Sequence, residues 1–98
     1  MRESLDEPVS VISYYDHKTR HVQPYRLTWQ NTDYALGKID FWHKTKSGDK
    51  LIHHFSIADM EGRMYFKLAL DTSNLHWVIE EFMAVNDAQP HYGSFEAA

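Results

Sequence analysis

The sequence predicts an all-β domain: an antiparallel meander closing as a small sandwich or a partly open barrel. Three observations carry that prediction. Apolar and polar residues alternate in several runs, the period of a strand that buries one face. Polar turn clusters recur roughly every ten residues between those runs, the spacing of a meander. The apolar content is β-branched and aromatic, with Tyr, Phe and Trp making up 14% of the chain, and large rings bury much area in a small domain. Ninety-eight residues suffice for one domain. It is expected over 8–85, with flexible polar termini at 1–7 and 86–98.

Pro8 opens the first ordered run, a position that a strand tolerates. Val9 to Tyr15 is β-rich, and Asp16 to Thr19 forms a turn. Arg20 to Gln23 returns as a short strand. Pro24 cannot donate to a ladder, so an edge or a bend is expected there. The segment from Pro24 to His43 reads as the central hairpin. Tyr25, Leu27 and Trp29 alternate with Arg26, Thr28 and Gln30. Asn31, Thr32 and Asp33 turn the chain. Tyr34 and Leu36 share one parity, and after Gly37 the apolar set moves to Ile39 and Phe41. That phase change at a glycine predicts a β-bulge, with Trp42 on the face opposite Phe41.

Lys44 to Lys50 reads as a polar loop with Ser47-Gly48-Asp49 at its tip. Leu51 to Ile57 follows as a strand, and Asp59 to Gly62 as a type I turn. Arg63 to Leu70 has the cleanest alternation, with Met64, Phe66, Leu68 and Leu70 on one face. Asp71 to Asn74 turns again. Leu75 to Val85 admits two readings. Leu75, Val78, Ile79, Phe82 and Met83 fit the stripe of one C-terminal helix, capped by Ser73 or Asn74. The β-branched and aromatic content favours a buried strand.

The formal charge of −4 argues against non-specific nucleic-acid binding, which runs on phosphate neutralisation. With no cysteine, disulfides, thiolate catalysis and Cys-type zinc sites are excluded. The N-terminus lacks the apolar core of a signal peptide, and no apolar run reaches membrane-spanning length, so a cytoplasmic location is expected. There is no Gly-rich phosphate loop, Ser/His/Asp signature or nucleophile motif, so no enzyme and no cofactor is expected.

Candidate chemistry falls into two groups. The first is histidine. His17 and His21 are four apart in a predicted turn, and the adjacent His53 and His54 leave a strand on opposite faces. His43 would lie across from His53 or His54 if the strands around Ser47-Gly48 pair. His43 and His54 are therefore the candidates for a metal or small-ligand site, against the reading of surface histidines. The second group is Arg20, Arg26, Lys38, Lys44, Lys46 and Lys50 with Tyr25, Trp29 and Trp42, a basic aromatic set of the kind that stacks bases in single-strand binders. Tyr65 joins Arg26, Trp29, Lys38, Trp42, Lys44 and Lys46 as a candidate binding residue. The same rings also read as core, with the charges keeping edges soluble. A protein-interaction or self-associating module, anchored by Trp42, Tyr65 or a long unpaired edge, is the leading expectation. A nucleic-acid-contacting domain is the alternative.

Pro24-x-x-Leu27-x-Trp29, Tyr34-x-Leu36, Trp42, Phe55, Tyr65-x-x-Leu68-x-x-Asp71 and Trp77 together resemble a group of small bacterial β-rich proteins. That likeness spans Val9 to Phe82 and implies an all-β fold with no assigned activity. Val11 to Asp59, with Tyr14-Tyr15, Arg20-x-Val22-x-Pro24 and His54-x-Ser56-x-Ala58-Asp59, also resembles the WYL domain, a ligand- or nucleic-acid-sensing β-barrel of bacterial regulators. Asp33-Tyr34-Ala35 stands where that domain has Trp-Tyr-Leu, and the binding arginines of its later strand are absent. No site residue carries over from it.

Overall fold

The computed structural model describes residues 2–84, with side chains from Asp6 onward. Seven strands follow one another: β1 (Arg2–Pro8), β2 (Ser10–Asp16), β3 (His21–Trp29), β4 (Thr32–Ser47), β5 (Lys50–Asp59), β6 (Met64–Asp71) and β7 (His76–Ala84). They form one antiparallel sheet in the order β1-β7-β6-β5-β4-β3-β2, curled into a half-barrel with no helix among the described residues. From β2 to β7 the order is a plain meander. β1 is added beside β7, so two strands separated only by Val9 lie at opposite ends of the sheet. The Val9 N–H donates to the Trp77 carbonyl at 3.1 Å, tying that corner.

Curling puts one face of β3 to β7 into a shared core. Leu27, Leu36, Phe55, Ile57, Phe66, Leu68 and Ile79 are buried there with Trp29 and Leu70. Trp29 lies edge-on to Phe66 and 4.6 Å from Phe82, centroid to centroid. Tyr34 meets Phe66 edge-on at 5.2 Å. Edge-to-face contact suits the ring quadrupoles and adds to the burial of large side chains. The alternation read in β6 is the observed one, since Phe66, Leu68 and Leu70 are all core.

Turns place the strands. Gly48 and Gly62 have φ of 62° and 71°, the left-handed region that a glycine adopts without steric cost. The Asp59 carboxylate accepts the N–H groups of Arg63 (2.7 Å) and Met64 (3.1 Å), fixing the β5–β6 turn. The Asp71 carboxylate does the same for Ser73, taking both its N–H and its hydroxyl.

The structure departs from the sequence reading in four places. Within the terminus expected to be flexible, 1–7, residues 2–7 form β1 together with Pro8 and pair with β7, because edge pairing needs extended backbone rather than apolar alternation. Lys44 to Lys50 is not a loop: β4 runs to Ser47 and β5 starts at Lys50, leaving only Gly48 and Asp49 between them. The expected short strand is no separate element: Arg20 ends the β2–β3 turn, His21 through Pro24 are part of β3, and Pro24 is accommodated by a register shift opposite Ser13. β3 and β4 pair only through Arg26–Trp29, so Pro24 faces no ladder on the β4 side. Instead, the Gln23 amide donates to the carbonyls of Pro24 (2.7 Å) and Gly37 (3.2 Å) where the two strands part. The register does shift between Leu36 and Ile39, around Gly37, but shifts again before Phe41. That second bulge turns Phe41 out to 59% exposure and lets Trp42 pack against the core. Residues 76–84 are strand, the reading that their β-branched and aromatic content favoured, so the helical alternative is dropped and Leu75 lies exposed in the preceding turn. The expected flexible tail, 86–98, lies outside the described residues.

Candidate functional site

The outer face of β4–β7 carries a polar network that two bulges make possible. Ile79 and Phe82 both reach the core, yet two residues separate them where regular alternation allows one. The register shift between Lys67 and Leu68 absorbs the extra residue. Consequently Glu80 and Glu81 both turn outward. Glu81 pairs with Lys67 at 3.8 Å. Glu80 reaches back to His54, its Oε1 lying 2.9 Å from the ring Nδ1. β6 runs between these partners, and the residue facing His54 across the ladder is Ala69. Ala69 is on the outer face and nonetheless buried. A methyl group there lets imidazole and carboxylate meet over it.

The other nitrogen of His54, Nε2, lies 2.8 Å from the Thr45 hydroxyl. A carboxylate only accepts, so Nδ1 carries the proton and Nε2 of the neutral ring accepts from Thr45. The chain of bonds therefore runs Thr45 to His54 to Glu80, the polarity of a nucleophile–base–orienter relay. An acyl-transfer site also needs N–H donors aimed at the developing oxyanion. Thr45 stands mid-strand in extended backbone and does not line the neighbouring cleft. The arrangement ties β4, β5 and β7 together across β6.

That cleft, about 310 Å³, is lined by Phe41, His43, His54, Ser56, Lys67 and Glu80 among others. Beside it the second bulge of β4 directs Asp40 toward Tyr65. Burial, then the Asp40 charge, push the Tyr65 phenol above its usual range, opposed by a hydrogen bond from Ser56. Tyr65 is thereby held half-buried in the sheet face and does not project as an anchor.

His43 does lie directly across from His54. Their rings stack at 4.5 Å with 6° between planes. Each lone pair lies in its own ring plane, and parallel planes do not meet, so one ion cannot sit about 2.0–2.1 Å from a nitrogen of each. Among the described residues no three His, Asp or Glu side chains converge as a metal site.

The basic aromatic set is dispersed. Trp29 is core, 6% exposed. Trp42 is half-buried, and its Nε1–H donates to His53 Nδ1 at 3.0 Å. His21 meets its ring edge-on at 4.9 Å, His53 stacks at 5.6 Å and Lys44 sits 5.7 Å above it. Little of the indole remains for a nucleobase. Burial, then Lys44, His54 and His21, hold His53 below the usual imidazole range. Lys44 and Lys46 share one side of β4, facing His53 and Leu51 in the ladder. Arg26 is exposed on β3, opposite Ile12 of β2, and Lys38 is exposed beside Gly37. The residues that sequence reasoning missed are Thr45, Ala69 and Glu80. Only the Glu80-Glu81 pair within an apolar run hinted at the bulge.

The remaining feature is the free edge of β2. Among the described residues this strand pairs only with β3, and Ile12, Tyr14 and Tyr15 on it are 48%, 57% and 59% exposed. Tyr25, the extra residue at the β3 register shift, is exposed beside them. Between Ser10 and Asp16 there is no Lys, Arg or Pro. No protein-family model, no curated protein and no solved structure matches the chain.

Proposed function

We propose that this chain is a non-catalytic protein-interaction module that takes an extended segment by strand addition along β2. One observation carries the reading: an apolar, aromatic strand whose outer row of N–H and C=O groups has no ladder partner among the described residues. In strand addition, main-chain hydrogen bonds supply affinity and alternate side chains supply specificity. Exposed apolar side chains gathered on such an edge mark an interaction surface. Two-dimensional NMR of the 15N-labelled chain, titrated with short peptides alternating Val, Thr and Tyr, tests the reading. Amide shifts are expected along Ser10–Asp16 and into β3. Shifts confined to β1 or to the outer face of β5–β7 would refute it.

A nucleic-acid contact is the second reading. It is favoured by Lys44 and Lys46 sharing one side of β4, with the Lys44 ammonium 5.7 Å from the Trp42 ring centroid. Arg26, Lys38, Lys44 and Lys46 are its phosphate contacts. Fluorescence titration with single-stranded DNA and RNA at two salt concentrations decides it, since phosphate neutralisation must weaken with salt.

A further inference from the structure

Edges of a sheet are where chains meet by accident, and folded proteins blunt them with charge, proline and bulges. This sheet blunts every described edge but one. β1 carries Asp6 and Glu7, ends in Pro8 and has a register shift between Ser4 and Glu7. The part of β4 that leaves β3 behind carries Lys44 and Lys46. The part of β3 that leaves β4 behind carries His21 and Pro24. β2 reads Ser-Val-Ile-Ser-Tyr-Tyr-Asp. Its single charge is at the last position, and its bulge places the extra residue in β3, leaving β2 itself regular.

Resting on the strand-addition reading, we infer that the partner is a second copy of this chain, its β2 laid antiparallel to the first about a two-fold axis through Ser13. The register follows from the residues. Centring the pair on Ser13 matches all seven residues of β2: Ser10 with Asp16, Val11 with Tyr15, Ile12 with Tyr14, and Ser13 with itself. Each branched aliphatic then faces a tyrosine of the other copy, on both faces of the joined sheet. Aromatic and β-branched residues are favoured cross-strand partners. The two Asp16 carboxylates fall at opposite ends, about 20 Å apart at the rise of an extended strand, each facing a serine hydroxyl. A parallel pairing in register would set Asp16 against Asp16. Sliding the axis by one residue in either direction leaves four of the 14 strand residues without a partner. A closed two-fold contact uses up both free β2 edges and stops there, so the product is a dimer rather than a fibre.

The absence of cysteine gives the test a clean background. Directly opposed antiparallel residues have Cα atoms about 4.5–5.5 Å apart, within disulfide reach. Under a glutathione redox buffer, S13C should cross-link to a dimer of twice 11.6 kDa, whereas S10C and Y15C alone should not. A mixture of V11C and Y15C should give the heterodimer. Sedimentation velocity of the unmodified chain over a concentration series should show the same doubling, abolished by I12K/Y14K and restored when that variant is mixed with I12E/Y14E. Circular dichroism confirms that each variant remains folded. Cross-linking that is equal at all positions, or a strict monomer with no S13C dimer, overturns the inference. If the monomer still shows peptide-induced shifts along β2, the partner is a different protein and the strand-addition reading stands. If it shows none, both fail.

Discussion

The contact between His54 and Glu80 over Ala69 yields the sharpest test of the fold's outer face. The partners sit on β5 and β7, two strand spacings or about 9.6 Å apart in backbone, and meet at 2.9 Å. Their side chains are 16% and 30% exposed, so the bond is partly screened. Hydrogen bonds to a charged group contribute about 1.5–3 kcal/mol, and allowing for solvent access a coupling of about 1–2 kcal/mol is expected. A double-mutant cycle with His54→Ala and Glu80→Ala isolates it. With a urea dependence of about 1–1.5 kcal/mol/M, the coupling displaces the unfolding midpoint by about 1 M. Chain concentration must be fixed and low, because self-association would add its own stabilisation. The same cycle repeated on Ala69→Leu separates the bridge from general packing. A leucine there stands between the partners, so coupling should fall to near zero whatever the leucine does to stability by itself. Equal coupling with alanine and leucine at position 69 would refute the geometry.

Other outcomes follow from the same coordinates. Because His53 is held below the ordinary imidazole value of 6.5, the unfolded chain binds its proton first. Stability is therefore full above that value and declines as pH falls through the window beneath it. His53→Phe should flatten this acid limb in thermal melts between pH 7.5 and 5, and an unchanged slope would contradict it. Tyr65, held above its ordinary 10.0, should ionise above that value in an ultraviolet titration, with stability falling as pH rises past it. Asp40→Asn should bring its titration back down. Phe66→Ala, at the fully buried centre of the core, should cost about 3–5 kcal/mol in denaturant unfolding.

Legibility in the sequence tracked periodicity. The β6 pattern was plain because nothing interrupts it, and the Gly37 bulge was visible because glycine marks such irregularities. The second bulge at Asp40 had no such marker, so Phe41 was expected inward, where Trp42 packs instead. The phase at Glu80-Glu81 misled in another way. One extra residue made the stretch fit a helical stripe as well as a strand, and only pairing with β6 on one side and β1 on the other decides it. Register is a property of two strands, and one strand's residues do not state it. For that reason His43 opposite His54 was within reach, being fixed by a short hairpin. His54 with Glu80, 26 residues apart, was not.

The placement of the two notable surfaces argues for a division of labour. The His54 network binds β4, β5 and β7 across β6 by side chains, adding rigidity where the sheet is already fully paired. β2 lies on the far side of β3, and β3 itself holds β4 through only four residue pairs. The β2–β3 ribbon is thus the least tied part of the sheet, and it carries the unprotected edge. A ribbon fixed at one end and free at the other can adjust its twist to a second strand at little cost to the core, which Leu27 and Trp29 anchor at the fixed end. Were the ribbon instead as firmly held as β5 and β6, amide exchange along β2 would be as slow as along β6. Faster exchange in β2 at low chain concentration, slowing as concentration rises, is what a docking strand waiting for its counterpart must show.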